Sequence, residues 1–406
     1  MANPVNPPRG MRDFLPLEKK KRDSILDLIR GTYMAHGFQE IETPALEDLS
    51  RLTSGQGGDN EKLAYRVLKR GAELDEALAN QGELADLGLR FDLTVPLTRY
   101  YATNRSQLPS VFKAIQAGPV WRAERPQKGR YRQFVQCDID IIGDASALAE
   151  IELLRASLNV LDVLGLTDAV IRVNHRELLI KLLSELGVAE SDHGSAMITI
   201  DKLDKIELSG VVTELTERLG EKVGKAFEAW FMDVDTTVVP KELAHIFELV
   251  EEGRLRYDPT LVRGMGYYTG PIFEIDHPAS GSSIGGGGRY DGMVGRWLGT
   301  DVPAVGISLG FERVVDLVSE EELEEEQPSL VLILEDDSVP TMKNAFAIQR
   351  EFWAQGAIVR LELKPKRLNL LLETMSANGY DAFALIGAKT DSLGSVDVRP
   401  IGQSVE

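Results

Sequence analysis

Gly118-Pro119-Val120-Trp121-Arg122-Ala123-Glu124-Arg125-Pro126-Gln127-Lys128-Gly129-Arg130-Tyr131-Arg132-Gln133-Phe134 packs five basic side chains into one short span with a single acid, Glu124. The whole chain carries a formal net charge of −19, so this local reversal of sign is informative. Pro126 and Gly129 place a turn in its middle. The pattern predicts two strands, at Ala117–Arg122 and Phe134–Ile142, joined by a basic loop. Guanidinium forks match phosphate oxygens, so such a loop suits a phosphate-bearing ligand. A solvated basic hairpin accounts for the charge equally well when the stretch is taken alone.

Upstream of it, Pro16 suits a helical first turn, Ile25, Leu28, Ile29 and Tyr33 share one helical face, and Gly37 suits the stop. Phe38–Pro44 reads as a short strand, residues 71–88 as a loop or exposed helix, and Leu89–Leu93 as a strand. Downstream, Ala147–Leu164 is amphipathic and rich in Ala, Leu and Glu. Residues 172–255 read as polar-faced helices, with Asp201-Lys202-Leu203-Asp204-Lys205 as a solvated helix face. Glu320-Glu321-Glu322-Leu323-Glu324-Glu325-Glu326-Gln327-Pro328 is self-repelling and extended, which marks an interdomain connection. Beyond it, Leu330–Leu334, Met342–Gln355, Ala357–Leu363, Leu368–Asn378 and Ala382–Ile386 alternate as strand, helix, strand, helix and strand. That order predicts a small α/β domain with a largely parallel sheet.

The chain has 406 residues, enough for two or three domains at roughly 100–200 residues each. No apolar stretch approaches the roughly 20 residues of a membrane span, and residues 1–8 lack the segments of a secretory signal. A cytoplasmic protein without membrane contact is expected. The one cysteine, Cys137, cannot form an internal disulfide, and the five histidines are scattered, so no metal site is expected. The acidic balance opposes polyanion binding over the whole surface but leaves room for a local basic patch.

Three further stretches carry chemistry. Arg263-Gly264-Met265-Gly266-Tyr267-Tyr268 places an arginine beside close-approach glycines and two polar-tipped rings, or else is an edge strand with packed aromatics. Gly285-Gly286-Gly287-Gly288-Arg289-Tyr290-Asp291-Gly292 fits neither a P-loop nor a dinucleotide fingerprint. It reads as a flexible loop or as a strand against which a flat ligand lies. Gly306-Ile307-Ser308-Leu309-Gly310-Phe311-Glu312-Arg313 reads as a strand turning into a helix, with Arg313 in its first turns. A nucleophile elbow of the Gly-x-Ser-x-Gly kind is lacking.

Together these stretches resemble the class II aminoacyl-tRNA synthetases, and within them the histidyl-tRNA synthetases. The resemblance begins at Arg9-Gly10-Met11-Arg12-Asp13-Phe14, runs to Arg313 and continues more weakly to the end. Gly37–Pro44, Trp121–Phe134 and Gly310–Arg313 are similar to that class's three motifs. Arg263–Tyr268 and Gly287–Gly292 are similar to the two motifs peculiar to the histidine enzymes.

The resemblance implies an α+β fold: a class II synthetase-like antiparallel sheet with flanking helices, a helical insertion at about 175–255, and a small C-terminal α/β domain. The catalytic domain would span 1–325 and the anticodon-binding-like domain 328–406. It also implies a homodimer that activates L-histidine with ATP and Mg2+ and passes the acyl group to the terminal ribose of tRNA(His). Arg122 and Arg263 are the implied catalytic cations. Arg122, Arg130, Phe134 and Arg313 would bind ATP, Arg122 at the α-phosphate, Phe134 on adenine and Arg313 at the γ-phosphate end. Asp92, Leu93, Thr94, Arg122, Gln136, Asp140, Arg263, Tyr267 and Tyr268 would bind histidine. In that set Asp92, Thr94 and Gln136 meet the α-amino group, while Asp140 and Tyr268 meet the imidazole. Arg125 and Gln127 would approach the tRNA acceptor end.

The chain departs from the family pattern in places. Gly266 stands where many relatives carry an acid, and Asp92 and Asp140 are one methylene shorter than the glutamates of some relatives. The C-terminal domain is short and not net basic, with one basic cluster at Lys364, Lys366 and Arg367. The alternative to a ligase is a synthetase-like regulatory subunit of ATP phosphoribosyltransferase. Such paralogues tend to lose the paired tyrosines and the C-terminal domain, and this chain has both.

Overall fold

The computed structural model describes residues 5–53, 63–126, 130–250, 253–263, 267–319 and 327–402. Three segments singled out above, Gln127 to Gly129, Gly264 to Gly266 and Glu320 to Glu326, lie outside the described residues. The chain divides into two compact units, residues 1–13 with 25–322 and residues 14–24 with 323–406.

The first unit is built on an eight-stranded sheet. In chain order its region of the sequence supplies β1 (Gln39–Glu40), β2 (Leu46–Asp48), β3 (Tyr65–Leu68), β4 (Ala85–Leu89), β5 (Phe112–Trp121), β6 (Gln133–Ile142), β7 (Val170–His175), β8 (Leu255–Tyr257), β9 (Pro271–Asp276), β10 (Gly285–Arg289) and β11 (Ala304–Gly310). The large sheet runs β1-β5-β6-β11-β10-β9-β7-β8, while β2, β4 and β3 form a small separate sheet. The six inner strands pair antiparallel, and only the edge strands β1 and β8 pair parallel. This is the class II synthetase-like arrangement expected above.

Period-two alternation gives the sheet two unlike faces. One carries Ile115, Ile139, Ile307, Phe273 and Val173, all at most 2% exposed. The helix Ala147–Val163, with ten buried residues along it, packs against β6 and β11. Each fully buried Leu or Ile there contributes roughly 1.5–3 kcal/mol over an exposed one. The other face carries the polar residues and glycines that form the site.

Several local expectations need correcting. Leu89–Leu93 is not a strand: β4 ends at Leu89, and a helix runs Thr94–Asn104. Its start is set by Asp92, whose Oδ1 accepts from the Val95 amide at 3.1 Å, and by Pro96 in the first turn, where no donor is needed. Residues 71–88 divide into the helix Ala72–Ala79 and most of β4. Among the described residues the 172–255 region holds five α-helices, Arg176–Glu185, His193–Ile200, Leu203–Leu219, Glu221–Asp233 and Ala244–Leu249, but β7 and β8 lie at its margins. The Asp201–Lys205 run is no plain solvated helix face. It spans a turn between two helices, with Lys202 bonded to Glu214 and Asp204 to Arg172. Of the Phe38–Pro44 segment only Gln39–Glu40 is strand, paired with β5.

The second unit contains β12 (Ser329–Leu334), β13 (Ile358–Leu363), β14 (Ala382–Ile386) and β15 (Arg399–Pro400) in the order β13-β12-β14-β15. The first three are mutually parallel, as the strand–helix alternation predicts. All six residues of β12 are buried. Leu330, Leu332 and Leu334 enter one core and Val331 and Ile333 the other, so both faces of the sheet are covered. Among the described residues no helix is long and apolar enough to cross a membrane.

Candidate active site

Strand register builds the polar face of the large sheet. Gln116 on β5 pairs with Asp138 on β6, Asp138 with Ser308 on β11, Ser308 with Gly286 on β10, Gly286 with Glu274 on β9, and Glu274 with Arg172 on β7. Directly paired residues point to one face, so these six form a single row across the sheet. The adjacent rows on that face hold Gly118, Gln136 and Gly310 on one side and Asp140, Gly306 and Gly288 on the other. Glycine therefore paves much of the surface between the polar side chains.

Two of these glycines are required by close approach. A Cβ at Gly306 would sit 1.8 Å from the Asp140 Oδ1, and one at Gly286 would sit 2.6 Å from an Arg263 guanidinium nitrogen. The space that each glycine leaves is filled by a site residue.

A cleft of about 390 Å3 opens over this face. Arg122, Arg130, Phe134, Gln136, Arg263 and Arg313 all line it, although they come from separate stretches of chain. Arg122 follows β5 directly. Its Nε donates to the Phe91 carbonyl at 3.0 Å, and its guanidinium carbon lies 4.9 Å from the Phe134 ring centre. Arg313 sits in the first turn of the helix Phe311–Leu317 and donates to the Ser283 carbonyl. Burial lowers its pKa, with Arg130 and Arg263 adding to that and Glu274 opposing it. The cations crowd one space, as a receptor for a polyanion requires. Arg263 donates to Glu274 Oε2 at 2.6 Å.

Buried beside the cleft is a more polar pocket. Gln136 Nε2 donates to the Ser308 hydroxyl at 3.0 Å, while its buried Oε1 has no hydrogen-bond partner among the described residues. Tyr267 and Tyr268 are both buried, with ring centres 4.7 Å apart. Burial raises the Tyr268 hydroxyl, and bonds with Arg263 and Tyr267 hold it down. Asp140 accepts from the Tyr290 hydroxyl at 2.6 Å. Burial pushes the Asp140 carboxyl up to about 7, a rise opposed by Tyr290 and reinforced by Asp92. Burial first and Asp140 second push Asp138 well above the carboxylate range. Three carboxyls so close cannot all ionise easily, so the pocket favours a ligand that brings positive charge or hydrogen-bond donors.

Of the predicted residues, Leu93 contributes backbone only. Its side chain is core, and its carbonyl accepts from Gln116 Nε2 at 3.1 Å. Thr94 is half-buried at the helix start, and Arg125 is exposed and outside the cleft lining. Gln127 lies outside the described residues. Sequence reading missed Gln116 and Asp138, and it quoted Tyr290 within the Gly287–Gly292 motif without giving it a place in the site. Asp138 was open to recognition: it shares a strand face with Gln136 and Asp140, and alternation alone puts the three together.

A family model of histidyl-tRNA synthetases matches residues 10–314. A histidine–tRNA ligase of Leifsonia xyli subsp. xyli is 51% identical, with 99% of each chain covered. Among solved structures, a histidyl-tRNA synthetase from Nostoc sp. PCC 7120 superposes with a TM-score of 0.76 at 26% identity, covering 98% of this chain and 97% of that one. A Bacillus halodurans protein described as an ATP phosphoribosyltransferase regulatory subunit/histidyl-tRNA synthetase gives a TM-score of 0.73 at 21% identity, covering 95% of this chain and 100% of that one. That last likeness is one of fold alone. With the sheet, the arginine-lined cleft and a full-length relative at 51% identity all in agreement, the chain belongs to the histidyl-tRNA synthetase family.

Proposed function

We propose that this protein is a histidine–tRNA ligase, which joins L-histidine to AMP using ATP and then passes the histidyl group to the 3′ end of tRNA(His). The observation that carries the reading is the convergence of Arg122, Arg263 and Arg313 on one cleft above a glycine-paved sheet.

In the first step a histidine carboxylate oxygen attacks the α-phosphorus. A new P–O bond forms, the bond to the β-phosphate breaks, and pyrophosphate leaves. Two anions must meet, so the barrier falls where fixed cations hold both. Arg122, whose Nε is held by the Phe91 carbonyl, would bridge carboxylate and α-phosphate. Arg263 neutralises the charge growing on the α-phosphate. Arg313 and the exposed Arg130 take the outer phosphates, and Phe134 supplies a face for adenine.

Gln136 Oε1 and Asp92 receive the ammonium group, with Thr94 beside them. Asp140 and Tyr268 read the imidazole. In the second step a terminal ribose hydroxyl attacks the acyl carbonyl, and AMP departs. Arg125 and Gln127 would meet the incoming acceptor end.

ATP enters as its Mg2+ complex. Both carboxylates lining the cleft are engaged, Glu124 3.8 Å from Arg130 and Glu312 with Arg12, so phosphates and water would supply most of the ion's ligands. The reading further includes a homodimer working in the cytoplasm, a catalytic domain over 1–325 with its insertion at about 175–255, and an anticodon-binding domain over 328–406. A single species of monomer mass at micromolar concentration in sedimentation would exclude the dimer.

The test of the activity is isotope exchange of pyrophosphate into ATP. Exchange should require histidine and should nearly vanish in Arg263→Ala while the protein stays folded. Absence of exchange with histidine at saturating Mg2+ would instead favour the regulatory-subunit reading.

A further inference from the structure

The guanidinium of Arg263 does not stand alone. Its Nη1 donates to Glu274 Oε2 at 2.6 Å, and the other oxygen of Glu274 accepts from Arg172. Arg172 is the hub of a cage of acids. It meets Asp258 at 3.0 Å, Asp276 at 2.8 Å and the exposed Asp204 at 3.3 Å, besides Glu274. The side chains of Arg172, Glu274 and Arg263 are only 11%, 16% and 24% exposed. Bonds between ionised groups so shielded are stronger and better directed than those at the surface.

Register explains why the contact is made. Arg172 on β7 faces Glu274 on β9, which faces Gly286 on β10, and the guanidinium of Arg263 occupies the space above Gly286. Glu274 thus holds Arg263 from the side away from Phe134 and the adenine end of the cleft. It can hold it in place only while its own charge is shared. Without Arg172 the carboxylate of Glu274 would lie beside Asp258 and Asp276 with Arg263 as its own remaining ion-pair partner, Arg256 being engaged with Asp276 at 3.5 Å, and would draw Arg263 onto itself. Without Glu274 the guanidinium would lose its fixed partner.

We infer that Arg172 and Glu274 are positioning residues for histidine activation, acting through Arg263: Glu274 sets the position of its guanidinium, and Arg172 keeps Glu274 from capturing it. The inference rests on the proposed role of Arg263 at the α-phosphate. Neither residue lines the cleft that Arg122, Arg263 and Arg313 share, so their effect should lie in kcat and not in histidine affinity.

The experiment is a double-mutant cycle on pyrophosphate exchange with the full chain. Arg172→Met and Glu274→Gln should each lower kcat by about 10-fold to 100-fold, the scale of a misplaced catalytic group, with KM for histidine within about threefold of wild type. Introduced into Arg263→Ala, each should change the residual rate by less than about twofold, because the group they position is gone. A structural role predicts the opposite: the same fold-loss in both backgrounds, which would overturn the inference, as would wild-type kcat in both single variants. Thermal melting identifies a variant that fails to fold. If Arg172→Met does so, Glu274→Gln, which preserves size and one acceptor, decides alone. Full exchange in Arg263→Ala itself would sink the parent assignment, an outcome distinct from failure of the cycle.

Discussion

Two strands sit inside their respective sheets and are built in opposite ways. β12 reads Ser-Leu-Val-Leu-Ile-Leu, and its side chains fill cores on both faces. β10 reads Gly-Gly-Gly-Gly-Arg and brings almost no side chain to either face. A glycine in a strand interior costs roughly 0.5–1 kcal/mol against alanine, so such a strand is held by its pairing with β9 and β11 and by what neighbours place over it. The difference separates two uses of a sheet. Where side chains fill both faces, the sheet is a core; where they are withheld, the vacated space admits groups from elsewhere, here the guanidinium of Arg263 and the ring of Tyr268.

Truncating the filled strand should cost the most. Ile333→Ala, at a fully buried position, is expected to lower unfolding free energy by about 2–5 kcal/mol, read by urea denaturation, while exchange by the folded protein stays within about twofold. A large loss of exchange at constant fold would blur the distinction between the two sheets. Filling the empty strand should do the reverse. Gly286→Ala pushes a methyl into the Arg263 guanidinium and should reduce the exchange kcat by about 100-fold. Wild-type turnover there would mean that the glycine paving is incidental.

How much of this was legible in sequence depends on the source of each signal. β12 and its helices could be read directly, because a continuous apolar run followed by helical periodicity is a local pattern. The helix Ala147–Val163 was legible for the same reason. The run from Leu89 to Leu93 misled because its apolar alternation continues past the true strand end. The overriding signal was the Asp92 cap with Pro96 four residues later. Residues 285–289 were ambiguous between loop and strand, since glycines carry no periodicity, and only pairing with β9 and β11 decides it. The arginines could be picked out through resemblance. Arg172 and Glu274 could not, because their meaning lies in a register between distant strands.

A third test uses the polar face itself. Asp140 titrates at about 7 in the folded chain against an ordinary value of 3.8, so the folded state keeps a proton that the unfolded state has released. Stability should therefore fall as pH rises from about 4 to about 7 and level off above, with Asp138 acting in the same direction. Asp140→Asn should remove part of that decline, seen as a flatter series of melting midpoints. An unaltered slope would show that Asp140 is ionised throughout. The smallest effect is expected in the second unit: Lys366→Ala, at an exposed position, should weaken tRNA charging a few-fold, about the loss of one phosphate contact, and leave exchange alone. Unchanged charging would detach that basic cluster from the tRNA.

The row from Arg172 to Gln116 has a consequence for anyone building inhibitors. Its members sit one per strand, and hydrogen-bonded strands lie about 4.8 Å apart whatever their side chains. The backbone itself therefore gauges the span between the cleft over β6 and the acid cage around Arg172 on β7. Substitutions can loosen the grip at either end without altering that length. A molecule bridging both ends must match a fixed interval, so spacer length should discriminate among candidates more sharply than the chemistry of their tips.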